Sequence, residues 1–249
     1  MEIVRIEPTE KVKPFLKGLR LPSQFNGKIN KIEFIQYCTQ NDACVGAETC
    51  KRFQDVYNTI AGARLSVALA QIKEFPEFIQ QNEWGYNWMR SRYATDAILL
   101  YEASFDLILQ IPWIFFQIYK LNDSSLDLRK NLASILKACR LRNRVDSQTG
   151  KIVAFGLEDN INSELYSLLK EFNNKNNHII SQLANYIKHK QCISFKELKL
   201  QNSFVVLGRN YNSESSLVEH SLDEIIVILK GHHMKLIKLC EDVQSFFPF

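Results

Sequence analysis

Apolar residues recur at steps of three and four along most of the chain, and that period predicts helices. From Ala47 onward, Phe53, Val56, Tyr57, Ile60, Ala63, Val67, Ala70 and Phe75 share one helical face, and Pro76 marks its expected end. Gln80–Arg90, with Trp84, Gly85, Tyr86 and Trp88, leaves that phase and reads as an aromatic-rich connection. A long helix is expected from about Ser91 to Leu121, kinked at Pro112, and a third from Asp123–Ser124 to about Arg140. Asp146-Ser-Gln-Thr-Gly150 carries turn chemistry between RLRNRV and KIVAF, so a short hairpin or a plain loop belongs there.

Leu165, Leu168, Leu169, Phe172, Ile179, Ile180, Leu183 and Ile187 keep helical phase from Ile161 to Lys190. Asn173-Asn-Lys-Asn-Asn177 crosses this stretch, and each Asn costs roughly 0.6 kcal/mol against Ala inside a helix. One helix or two with an Asn cap both remain open. A single strand fits Phe204–Leu207, and the capping box Ser221-x-x-Glu224 opens a last amphipathic helix running from Leu222 to Phe247.

These elements predict an all-α bundle of about five long helices with short irregular or β-hairpin connections. Residues 1–46 are mixed, with a strand-like run at Glu2–Ile6 and an apolar run at Ile32–Cys38. They are expected to pack as an irregular segment on a helical domain spanning 47–249. Nine glycines and six prolines in 249 residues disfavour a turn-dense β-sandwich and agree with long helices.

Ala97–Tyr119 has the length of a membrane span, but Glu102 and Asp106 interrupt it, and each is expensive in hydrocarbon. Glu102, Asp106, Gln110 and Gln117 form one polar stripe, as on a bundle helix buried on most sides, so no membrane partner is expected. The charged N-terminal run MEIVRIEPTEKVK lacks the apolar core of a secretory leader. Cys38, Cys44, Cys50, Cys139, Cys192 and Cys240 include no C-x-x-C pair, which reads as reduced thiols in a cytoplasmic protein.

Candidate chemistry is sparse. The chain lacks a phosphate-cradling G-x-x-x-x-G-K-[ST], an H-E-x-x-H and a G-x-S-x-G elbow, which removes several enzyme classes. Glu102 and Asp106 are four apart and could share a metal, but without His or further acids nearby no metal or cofactor is expected. His232 and His233 project about 100° apart on the last helix, so they cannot form one site by themselves. Trp84, Tyr86 and Trp88 with Arg90, Arg92 and Tyr93 mix aromatics and cations as base-stacking surfaces do, although plugging the end of the bundle is the expected role.

The net charge of +4 permits a nucleic-acid partner without arguing for one. Cations do concentrate in KACRLRNRVDSQTGK, where Lys137, Arg140, Arg142, Arg144 and Lys151 meet one acid, Asp146. Such a cluster suits a phosphate backbone, and it equally suits a helix C-terminus followed by a solvated loop.

The strongest constellation is His178, Gln182, Asn185 and His189, spaced four, three and four on one helical stripe that Asn174 extends. Lys188 and Lys190 flank it. Imidazole is suited to proton transfer near neutral pH, and Lys and Asn can hold phosphate oxygens. Opposite Leu183 and Ile187, the same stripe also suits the solvated side of an amphipathic helix.

Leu183-Ala-Asn-Tyr-Ile-Lys-His-Lys190, followed by Cys-Ile-Ser-Phe-Lys-Glu-Leu198, resembles the motif helix of HEPN-type helical domains. In that family an Arg precedes a polar residue, three further residues and a His. Asn185 and His189 match the polar and His positions, and Ala184 stands where Arg is expected. The likeness covers about 30 residues. It implies a helical homodimer whose motif helices face one another. In metal-independent ribonucleases of this kind the His acts on the 2′-hydroxyl or leaving oxygen. Loss of the Arg removes the planar bidentate phosphate donor.

Three functions therefore follow as expectations. The first is a non-catalytic, dimeric HEPN-like protein that binds RNA or another phosphate-bearing partner through Arg140, Arg142, Arg144, Lys151 and Lys190. The second is a metal-independent ribonuclease, a toxin or phage-defence effector, using His189 with Asn185 and Lys188. The third is a protein-interaction module, with the apolar end Phe246-Phe-Pro-Phe249 docking on a protein partner.

Overall fold

Two long helices make the frame. α2 (Ala43–Leu69) and α3 (Glu83–Phe115) run antiparallel, since Arg52 meets Gln110 near one end and Arg90 reaches the Ala70 carbonyl at the other. The computed structural model describes residues 10–22, 43–73, 82–190, 193–198, 203–206, 209–212 and 219–247. The runs expected at Glu2–Ile6 and Ile32–Cys38, and the stop at Pro76, lie outside the described residues.

A short α1 (Lys13–Leu16) packs on α2. After α3 come a one-turn α4 (Tyr119–Asn122) and α5 (Leu128–Lys137), then a hairpin of β1 (Arg144–Val145) and β2 (Ile152–Ala154). α6 (Ser163–Phe172) passes through a π-helical turn, Asn173–Asn177, straight into α7 (His178–Lys190). A 3₁₀ turn at Lys196–Leu198 and a second antiparallel hairpin, β3 (Ser203–Val206) with β4 (Arg209–Asn212), precede α8 (Leu222–Gln244). The protein is thus mostly all-α, as the periodicity predicts.

Helical phase explains the packing. Val56, Ile60, Ala63 and Val67 of α2 are fully buried, as are Ala94, Ala97, Ile98 and Tyr101 of α3, and all belong to one core. α8 runs parallel to α3, because Asp223 meets Arg90, His233 meets Tyr101, and Phe247 packs edge-on against Phe115. The capping box at Ser221 and Glu224 forms as expected. Among the described residues, α3 alone is long and apolar enough to cross a membrane, and most of that stretch is buried inside the bundle.

Four expectations change. Gln80–Arg90 is not a connection: Asn82 caps α3 by accepting from the Gly85 N–H at 2.8 Å, so the helix already starts at Glu83. The third helix opens later than expected, at Leu128, where the Asp127 carboxylate accepts from the Arg129 and Lys130 N–H groups. The Asn-rich crossing gives neither a plain α-helix nor two capped ones, because a π-turn absorbs it. The C-terminal apolar end does not stand free at Phe247, which is 7% exposed and packs on Phe53 and Phe115 of its own chain.

Candidate nucleic-acid interface

The hairpin β1–β2 is built by short polar side chains. The Asp146 carboxylate accepts from the Gln148 and Thr149 N–H groups and from the Thr149 hydroxyl, which closes the turn and holds its pKa below the usual carboxylate range. Gly150 takes the left-handed conformation the turn needs, at φ +66°.

At the base, Asn143 accepts from the Gly156 N–H at 2.7 Å and gives its own N–H to Glu158 at 3.1 Å. Asn122 exchanges two hydrogen bonds with the Phe155 backbone. These ties fix where Arg142 leaves the chain.

Arg142 is exposed and donates from Nη2 to Asn174 Oδ1 at 3.4 Å. Beside it on α6, the Tyr166 hydroxyl donates to Glu158, and the Lys170 ammonium lies 5.5 Å from the Tyr166 ring centre. Desolvation and then the Glu158 hydrogen bond push the Tyr166 phenol up to about 12, while Arg142 pulls it down. Arg142 and the polar stripe, separate in sequence, therefore meet at the π-turn between α6 and α7. Arg144 and Lys151 are exposed further out, with Val145, Ile152 and Val153 also left half exposed between them. Arg140 is half-buried and gives its Nε–H to the Ala138 carbonyl.

The stripe itself faces solvent: Asn174, His178, Gln182, Asn185 and His189 are all exposed. Ala184 is fully buried in the core, so the position where the HEPN-like pattern carries Arg lies on the inner side of α7. His189 sits about 20 Å along the helix from Asn174, so Arg142 does not serve it. Lys188 is exposed, and its charge favours the ionised form of Asp106 on α3, which desolvation opposes. The side chain of Lys190 lies outside the described residues.

The aromatic corner departs from its expected role as a plug. Trp84 and Trp88 are 43% and 40% exposed, and the Arg92 guanidinium lies 5.9 Å from the Trp88 ring centre. Helical spacing of four from Trp84 to Trp88 to Arg92 puts them on one outer stripe of α3, while Gly85, Asn87 and Arg90 take the buried side.

Sequence reasoning missed Asn177 and Ser181. Both donate to Glu102, at 3.2 and 2.9 Å. The polar stripe on α3 was visible, but its partners lie on another helix. Among the described residues no three His, Cys, Asp or Glu side chains come together. Compared with known proteins, the chain matches no family model, no curated protein and no solved structure.

Proposed function

We propose that the chain is a non-catalytic, HEPN-like helical protein, working as a homodimer, whose hairpin-and-helix surface binds RNA. One observation supports this above the others: the Arg142–Asn174 hydrogen bond, which joins one of three exposed cations to a row of exposed amide and imidazole groups. Arg142, Arg144 and Lys151 supply charge for phosphates, and Asn174, His178, Gln182 and Asn185 supply donors and acceptors for sugars and bases. Half-buried Tyr166 and exposed Lys170 add an aromatic and a cationic group beside them. Cleavage is the weaker reading, because His189 has no phosphate-gripping Arg at position 184 and that position is in the core.

Fluorescence anisotropy with a labelled single-stranded RNA across a salt series tests the proposal. With three phosphate contacts, log affinity falls with log salt at a slope of about −2. Charge reversal of Arg142 and Arg144 together should weaken binding at least about tenfold and flatten that slope. Absence of binding at low salt, or binding that ignores salt, rejects the reading. Sedimentation velocity checks the dimer by its mass.

A further inference from the structure

Ile179, Leu183 and Tyr186 follow one another at steps of four and three on α7, and Gln182 stands beside them. With Ile193 and His220 they enclose a pocket of about 310 Å³. Leu183 and Ile193 are buried, Tyr186 and His220 half-buried, and Ile179 and Gln182 exposed, so an apolar floor opens towards solvent. Backbone pairing fixes the outer wall. The His220 N–H donates to the Ser194 carbonyl at 3.1 Å, and the Lys196 N–H donates to the His220 carbonyl at 3.0 Å. Glu197 accepts from the Ser221 hydroxyl and the Leu222 N–H, which ties this wall to the start of α8.

Gln182 belongs at once to this pocket and to the exposed stripe of Asn174, His178, Gln182 and Asn185. It lies two turns along from Asn174, about 12 Å, so a strand held at Arg142 and following the stripe reaches the pocket. We infer that the pocket takes one unstacked nucleobase of that strand, with the Gln182 amide reading the base's hydrogen-bonding edge. This rests on the RNA reading of the adjoining surface and adds a base-dependent contribution to it.

Size and lining choose the ligand. Pockets for small molecules span about 300 to 1,000 Å³, so this one holds a single ring system and not a longer chain. A base has two apolar faces and one polar edge. Ile179, Leu183, Ile193 and the Tyr186 ring suit the faces. A primary amide carries a donor and an acceptor side by side, which matches the N6 donor and N7 acceptor of adenine. Among the described residues no Lys or Arg lines the pocket, so charge for the phosphates comes from outside it, at Arg142.

Fluorescence anisotropy of the full chain with a labelled backbone of stable abasic residues carrying one adenine, against the same backbone fully abasic, tests this. The single adenine should tighten binding about tenfold. Ile179→Ser and Gln182→Leu, both at exposed positions, should fold normally and cut that gain several-fold. Neither should change the affinity of the fully abasic backbone or the salt slope. The pocket is rejected, and the RNA surface stands, if the adenine adds nothing while the abasic backbone still binds in a salt-dependent way. An adenine gain that survives in both variants places the base elsewhere and also rejects it. Failure of intact single-stranded RNA to bind at low salt overturns both readings together.

Discussion

The Tyr101 hydroxyl and His233 Nδ1 lie 3.0 Å apart with both side chains fully buried, and Nε2 of the same ring lies 2.7 Å from the Arg20 carbonyl. A carbonyl can only accept, so Nε2 carries the proton and Nδ1 is left as the acceptor of the tyrosine O–H. This chain of three groups ties α3 and α8 to the segment after α1. Its neighbour His232 makes an edge contact with the same Tyr101 ring, at 5.2 Å between centres. One tyrosine therefore touches two adjacent histidines that point to different sides of α8.

Tyr101→Phe keeps the ring packing and removes only the donor. A buried Nδ1 without a partner then remains, and the cost should be about 1–3 kcal/mol in a urea unfolding curve. A loss below a few tenths of a kcal/mol would show that water replaces the hydroxyl.

Stability should fall on mild acidification. Burial holds the His232 imidazole down at about 4, against an ordinary 6.5, and lowers His233 in the same direction. Lys235 and His233 lower His232 further, and Arg64 and Arg20 lower His233, while the Asn176 and Arg20 carbonyls oppose those shifts. Between about pH 6.5 and 4 the unfolded chain takes up protons that the folded chain refuses. Stability is kept in full above that window and lost as pH falls through it, by up to about 3 kcal/mol from His232. Unfolding midpoints at pH 7 and pH 5 measure the slope, and His232→Leu should flatten it. An unchanged slope in that variant would contradict the assignment.

Gly156 controls the hairpin. A Cβ there would collide with the Arg142 carbonyl and press on the Arg140 side chain. Gly156→Ala must therefore shift backbone rather than a side-chain tip, and should cost about 1–3 kcal/mol. The same shift moves Arg142 away from Asn174, so RNA affinity measured by anisotropy should drop with it. If affinity survives while stability falls, the placement of Arg142 is not what the surface depends on.

Arg90 is 7% exposed and gives its donors to the Ala70 carbonyl, Asn87 Oδ1 and Asp223 Oδ1, joining the ends of three long helices. Arg90→Met leaves the first two acceptors without a donor, but the Asp223 side chain is 76% exposed and rehydrates. The loss should be about 2 kcal/mol, smaller than for an ion pair buried on both sides. Thermal unfolding compared with Asp223→Asn separates the two partners' shares.

Much of this architecture could be read along the chain, because it rests on neighbours three and four residues apart. The Ser221–Glu224 box, the Asp146–Gly150 turn and the apolar face from Phe53 to Ala70 are local, and each formed where the spacing placed it. The stripe Glu102, Asp106, Gln110 was equally visible. Misreadings arose where one short side chain outweighed periodicity, as when Asn82 capped α3 and drew Trp84 and Trp88 into a helix with their rings turned outward.

What tertiary structure alone decided is which polar groups meet. The π-turn at Asn173–Asn177 takes one residue more per turn than an α-helix, which keeps Asn174 outside, beside Arg142, and turns Asn177 inward onto Glu102. Hydrophobic burial is non-directional, so the apolar stripes specify that helices pack but leave their mutual rotation and shift to the details of contact. For that reason the helices themselves were legible in the amino-acid order, whereas the Arg142–Asn174 junction and the hydrogen bonds from Asn177 and Ser181 to Glu102 exist only once the helices have docked.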